Sequence, residues 1–168
     1  MPTPTYDSIF SLTLSTSAAT VTLGSGGTGT IPSTFTDLVL VIDGTLTSGA
    51  TNPCRIKFNG DSGSNYSFNR ILTTGGAFAN DQSSNNNNGI LVSDLAGTHF
   101  SVIYTFIDYA NTSVVKTTLS HQYQSEYMGQ YVGRWNSTSA INSILLTPVS
   151  APFSAGTTFS LYGIKAGS

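Results

Sequence analysis

The sequence predicts an all-β fold, an antiparallel two-sheet sandwich of jelly-roll type, and three observations carry that prediction. Segments alternate apolar and polar residues with period two. Gly, Asn, Asp and Pro turn signals separate these segments at short intervals. Nowhere does a 3.6-residue period persist between helix caps. Many short strands at regular turn spacing indicate a sandwich or barrel, and a jelly roll is the first choice among them. For a chain of 168 residues the size prior is one domain. Residues 1–8 are expected to form an extended arm and residues 9–168 a single β-sandwich domain.

Taken in order, residues 1–7 hold Pro2 and Pro4 and show no periodicity, so they read as the arm. The prolines limit its unfolded-state entropy, which makes Pro2, Pro4 and Tyr6 candidates for anchoring to a partner. Residues 9–15 alternate, with Phe10, Leu12 and Leu14 on one face, and 20–23 extend or pair with them. The glycine-rich 24–30 segment is expected as a flexible loop; it lacks the lysine and the helix of a phosphate cradle. Residues 36–42 (TDLVLVI) are nearly continuous in β-formers, which predicts a central strand covered on both faces. Next, Cys54, Ile56 and Phe58 alternate with Arg55 and Lys57. Asn59-Gly60 tolerates positive φ, residues 61–65 prolong the turn, and alternation resumes at Tyr66 and Phe68. A hairpin is expected here, presenting Asp61 and Asn65 in an exposed loop at one end of the sandwich.

Residues 73–89 are polar, and the run DQSSNNNN at 81–88 has no means of burying apolar surface. They are expected as a long exposed loop carrying Asn85 and Asn88. A short strand is predicted over 90–95 and a long one over 99–109, where both faces are largely apolar and a central position follows. Strands over 114–122, 127–135 and 141–147 come next, the last broken by Pro148 and Pro152. Residues 157–165 close the fold with Phe159 and Leu161 inward.

Five of these segments, in fixed order, carry a resemblance: IPSTFTDLVLV (31–41), FNGDSGSNYSFNR (58–70), YANT (109–112), RWNST (134–138) and GTTFSLYGIK (156–165). Together they resemble a recurring module in virion proteins of tailed phages, notably those infecting cyanobacteria. The resemblance implies a virion structural or adhesion domain. The small size, with no stalk or coiled coil, favours a capsid decoration or cement protein that stabilises the head shell, with the major capsid protein as partner. The alternative is a carbohydrate-binding receptor-recognition module of a tail fibre or tail tip, taking a host surface glycan.

Composition narrows the field further. Charged residues make up 8% of the chain, against about 25% in ordinary soluble domains. Ser, Thr, Asn and Gly fill the surface instead, and such a surface is cheap to desolvate because no ionised group leaves water. Too few charges and too little lysine remain to keep β-edges apart, which predicts a homo-oligomer; the resemblance implies a trimer. Six scattered cations and a net charge of −2 exclude a phosphate-neutralising stripe, so nucleic acid is not an expected partner. No apolar run approaches the ~20 residues of a membrane helix. The first residues lack a basic and an apolar signal region, so synthesis in the host cytoplasm without export is expected. Cys54 is alone and excludes an internal disulfide.

Catalytic and metal motifs are weak. Gly60-Asp61-Ser62-Gly63 matches the nucleophile segment of chymotrypsin-like proteases, but His99 and His121 lie after it, not before, and a turn is the better account. Asp61, Gly63 and Asn65 offer one charge where a calcium loop needs several. The eight acids are spread singly, so no glycosidase pair is visible. No catalytic residue, metal ligand or cofactor is therefore expected, and the chain reads as a non-enzyme. On a strand, Tyr127, Gly129, Tyr131, Gly133 and Trp135 share one face, which suits sugar stacking or a protein interface. The competing reading is that Tyr127, Tyr131 and Trp135 are core aromatics, and the usual burial of large rings favours it.

Overall fold

The computed structural model describes residues 5–48, 52–74, 77–95, 99–124 and 127–165, with Thr74 and Tyr127 as backbone. Pro2 and Pro4 lie outside the described residues. The described chain forms β1 (Tyr6–Thr13), β2 (Val21–Gly24), β3 (Asp37–Gly44), β4 (Asn52–Phe58), β5 (Tyr66–Thr74) and β6 (Ala77–Asn86). It continues through β7 (Ile90–Leu95), β8 (Phe100–Ile107), β9 (Lys116–Gln124), β10 (Tyr127–Trp135), β11 (Ser143–Pro148) and β12 (Thr158–Ile164). There is no helix among these residues. The strands build two antiparallel sheets, one in the order β1-β12-β3-β8-β9-β10-β5-β6 and one in the order β2-β11-β4-β7.

The order is that of a jelly roll with one position expanded. When the meander β8-β9-β10 is counted as one strand, and β1 and β12 as an extension, the sheets reduce to four strands each, 3-(8–10)-5-6 over 2-11-4-7. An odd number of meander strands keeps the direction of the one it replaces, so the antiparallel pairing to β3 and to β5 survives.

Period-two patterning places the core between the sheets. In β4, Cys54, Ile56 and Phe58 are fully buried while Arg55 and Lys57 turn outward. Leu38 and Leu40 of β3, Phe100, Val102, Tyr104 and Phe106 of β8, and Phe159 and Leu161 of β12 face Leu23, Ile56, Phe58, Ile144 and Leu146 of the smaller sheet. Phe58 meets Phe106 edge-on across the gap, with ring centroids 5.7 Å apart and planes at 88°, the arrangement the ring quadrupoles favour.

Several expectations are corrected. The stretch from β4 to β5 is not a hairpin: β4 belongs to the smaller sheet and β5 to the larger one, so residues 59–65 cross between layers. Residues 77–86 are an edge strand, where a loop was expected. Their side chains do stay exposed, but main-chain pairing to β5 needs no apolar surface. A bulge at Asn85 (φ 51°) shifts the register of that pairing, which ends one step later at Tyr66 opposite Asn86, and Asn88 is exposed in the following turn. β1 begins at Tyr6, inside the stretch read as an arm, because its backbone pairs with β12. β2 neither extends nor pairs with β1; it pairs with β11. β8 is central in its sheet but covered on one face only, Ile103 being 46% exposed.

Candidate interaction surface

The five segments behind the resemblance converge mostly at one end of the sandwich. Asn59 (φ 52°) and Gly60 (φ 69°) turn the chain out of β4, a conformation that Asn and Gly tolerate. The Asn59 side chain donates to Ala140 O at 2.8 Å and accepts from the N–H groups of Asn142 and Ser143. The Asp61 carboxylate accepts from Trp135 Nε1 at 2.6 Å, Asn65 Nδ2 at 2.9 Å and Gly63 N at 2.7 Å. Tyr66 Oη donates to Asp61 O, and Asn136 N donates to Asn65 O. Ile141 N reaches Tyr109 O, and Tyr109 Oη donates to Pro32 O. In the last segment Gly163 lies under the Phe35 ring, where a Cβ would come within 2.3 Å of Cγ.

Asp61 and Asn65 are therefore half-buried pins of the crossover and not exposed ligands. Burial works against the Asp61 charge, but the bonds from Trp135, Asn65 and Gly63, with Lys57 nearby, more than offset it and hold the carboxyl below its ordinary range. Among the described residues no three His, Cys, Asp or Glu side chains gather as a metal site. His99 pairs with Asp43 at 3.0 Å, and His121 stands exposed on the larger sheet.

The aromatic strand runs inward. Tyr131 and Trp135 are 2% and 3% exposed, so within this chain neither offers a ring to a partner; the side chain of Tyr127 lies outside the described residues. Trp135 packs on Phe58 with centroids 5.5 Å apart. The gap beside Gly129 is filled by the Tyr131 ring and that beside Gly133 by Ile90 of β7.

Sequence reasoning missed the polar groups around these rings. Tyr131 Oη donates to Asp94 Oδ2 at 3.1 Å, Arg70 pairs with the same carboxylate, and Gln122 bonds the Asp94 main chain through both its amide atoms. This network ties β7 of the smaller sheet to β5, β9 and β10 of the larger. Lys116 is buried beneath the YANT turn, its ammonium donating to the carbonyls of Asn111, Val114 and Thr138. Three acceptors satisfy its three donors; burial nonetheless lowers its pKa, with Asp108 opposing.

The open surface lies on the outer face of the larger sheet. Register places Ser101, Tyr123, Met128, Thr73 and Phe78 in one row across β8, β9, β10, β5 and β6. The next rows run Ile103, His121, Gln130, Ile71, Asn80 and Thr105, Leu119, Val132, Asn69, Gln82. Of these, Tyr123 (64%), Met128 (59%) and Phe78 (72%) are the most exposed large apolar side chains, with Ile71, Val132 and Ile103 at 46–50%. No carboxylate stands in these three rows. Three adjoining depressions of about 370, 430 and 360 Å3 furrow this face, each with Ile71 in its wall. The amides of Asn69, Asn80, Gln82 and Gln130 line them, with Asp81 at the β6 side. The signal was present in the sequence as apolar residues on both faces of 99–109, which read as coverage by a second layer.

The chain matches no protein-family model and no curated protein. Among solved structures it is similar to an exo-inulinase from Aspergillus awamori, at 12% identity and a TM-score of 0.36, covering 95% of this chain. This chain spans 29% of the inulinase chain. It is also similar to an alginate lyase solved with alginate tetrasaccharide, at 11% identity and a TM-score of 0.32, covering 94% of this chain and 82% of that one. Likenesses at these scores carry no argument about activity.

Proposed function

We propose that this chain is a non-catalytic structural protein of a phage virion, a decoration or cement protein that packs the outer face of its larger sheet against the major capsid protein of the head shell. The observation that carries the reading is the gathering of Ile71, Phe78, Ile103, Tyr123, Met128 and Val132 on that one face, each at least 46% exposed. A lone exposed aliphatic needs no explanation, but a contiguous apolar face marks an interface. Scarce charge there lowers the cost of removing water. The phage setting rests on the five-segment resemblance. The exposed edge β6 contains neither Lys nor Arg, which favours pairing with further copies in a closed homo-oligomer, a trimer.

A second reading has an observation of its own. The amide-lined furrow around Ile71, flanked by Phe78 and Tyr123, has the donors, acceptors and rings of a glycan site, as a receptor-recognition module at the tail would need. Electron microscopy of virions carrying labelled protein separates the two: many copies on the head for the first, few at the tail for the second. Replacing Ile71 and Val132 together by Asp should leave stability within about 1 kcal/mol, since each site is half-exposed, and should strip the protein from heads. Full head occupancy by that variant would defeat the docking face.

A further inference from the structure

The smaller sheet carries a different chemistry on its own outer face. Arg55 and Lys57 alternate on β4, so both point away from the core, roughly 6.5–7 Å apart along the strand. Among the described residues the ion pairs are Arg70 with Asp81 and Asp94 and Lys165 with Asp7, while His99 hydrogen-bonds Asp43; Arg55 and Lys57 belong to none. Lys57 is near enough to Asp61 to lower its carboxyl, without an ion-pair contact. Between the two cations lies a depression of about 400 Å3, walled further by Asn88, Leu145, Thr147 and Val149. No acid lines it.

Both cations are held in place by the turn that leads into β7. Arg55 Nη1 donates to Gly89 O at 3.5 Å, and its guanidinium stands 6.0 Å from the Phe68 ring centroid. The Lys57 stem lies across Gly89: a Cβ there would meet Lys57 Cγ at 3.0 Å and Ile56 O at 2.5 Å, and the φ of +98° favours glycine independently. Two positive charges are thus oriented over a concave site, offset by a carbonyl, a ring and, at longer range, the Asp61 carboxylate, with no anion in contact. A half-buried cation without a contacting anion gains most from acquiring one.

We propose that this depression binds an anionic saccharide, a sugar bearing a carboxylate or a sulfate. The anionic oxygens sit between Arg55 and Lys57, the apolar edge of the ring lies on Leu145 and Val149, and hydroxyls meet Asn88 and Thr147. The mixture of apolar wall, amide and hydroxyl in one concavity favours a saccharide over an acidic peptide, which would want an extended track. The site lies on the opposite sheet from the face assigned to the shell, so it stands whether or not that assignment does.

The test is an NMR titration of the 15N-labelled full chain with four probes: tetragalacturonate, a sulfated tetrasaccharide, neutral maltotetraose and a tetra-aspartate peptide. At least one anionic saccharide should move the amide signals of Lys57, Asn88 and Thr147 while leaving Met128 and Val132 in place. Which anionic saccharide binds tells a uronate source from a sulfated one. Lys57→Gln should weaken that binding about tenfold by removing one of two charged contacts. If Arg55→Gln fails to fold, because Arg55 also covers Phe68, the Lys57 variant decides alone. Equal binding of maltotetraose, binding of the peptide only, shifts confined to the larger sheet, no binding at all, or an unaffected Lys57→Gln would each overturn the proposal.

Discussion

Asp61→Ala removes the acceptor on which the crossover between the two sheets converges. The indole N–H of Trp135 loses the only partner it has among the described residues and Trp135 is 3% exposed, so that N–H is left buried and unpaired at about 1–3 kcal/mol. Asn65 and Gly63 belong to a half-exposed loop, where water takes over, and their bonds contribute about 0.5–1 kcal/mol each. The expected loss is about 2–5 kcal/mol in all. For a domain of this size that lowers Tm by about 4–20 °C. Denaturant unfolding followed by the fluorescence of Trp135, the single tryptophan, reads the change at its source. Asp61→Asn, which retains one acceptor oxygen, should lose less than the alanine variant. The carboxyl titrates lower in the folded chain than in the unfolded one, so its charge contributes stability that is present above the ordinary carboxyl pKa of about 3.9 and is lost as pH falls through the folded value. The advantage of the wild type over Asp61→Asn should therefore fade only below about pH 4. An Asp61→Ala midpoint within about 0.5 kcal/mol of wild type, or a gap between wild type and Asp61→Asn that does not shrink in acid, would refute the pinning role.

Trp135→Ala should cost about 3–5 kcal/mol, measured by the same unfolding curve read through circular dichroism; a stable variant that specifically loses glycan binding would reverse the assignment of this ring to the core. Cys54 is fully buried and burial pushes its thiol up to about 12, so a thiol reagent at pH 8 should label it only at the rate of unfolding, and rapid labelling of the native protein would show that the core opens locally. Replacing residues 81–88 by a short Gly-Ser turn should cost more than about 1 kcal/mol, beyond what loop closure alone would change, because it removes half of β6 and the Asp81–Arg70 pair; an unchanged midpoint would mean the edge pairing adds nothing.

Much of the strand pattern was legible because alternation reports burial directly. Residues 127–135 coincide with β10, and Phe159 and Leu161 point inward as the period requires. What alternation does not report is which sheet a strand joins. Cys54–Phe58 and Tyr66–Phe68 look like the arms of a hairpin, yet a jelly roll sends consecutive strands to opposite layers. The Asn-rich run was misread for another reason: a strand at an edge is held by its neighbour's backbone, and its side chains carry no burial signal. The proposed interaction face was hidden in plain composition. Ile103 and Ile107 on the second face of β8 predict cover, and the same residues serve whether that cover is another layer of the chain or another molecule. Gln122 and Lys116, polar residues that face inward, have no sequence signature, because their partners are carbonyls set by the fold.

The pairing order also governs how the molecule must assemble. β12 lies between β1 and β3, so the latest strand of this domain to be synthesised fills a slot between two of the earliest. Ser11 and Ser160, 149 residues apart, touch across that seam at 2.9 Å. Until residues 156–165 emerge, β1 and β3 each present a bare edge, and Leu40 and Ile42 lack the lateral neighbours Leu161 and Phe159 that flank them. Such long-range closure is slow, and a nascent chain in this state is open to pairing with its neighbours on the same message. The GTTFSLYGIK segment is then a clasp, and chains shortened before it should be recovered as aggregates while chains that include it fold as a unit.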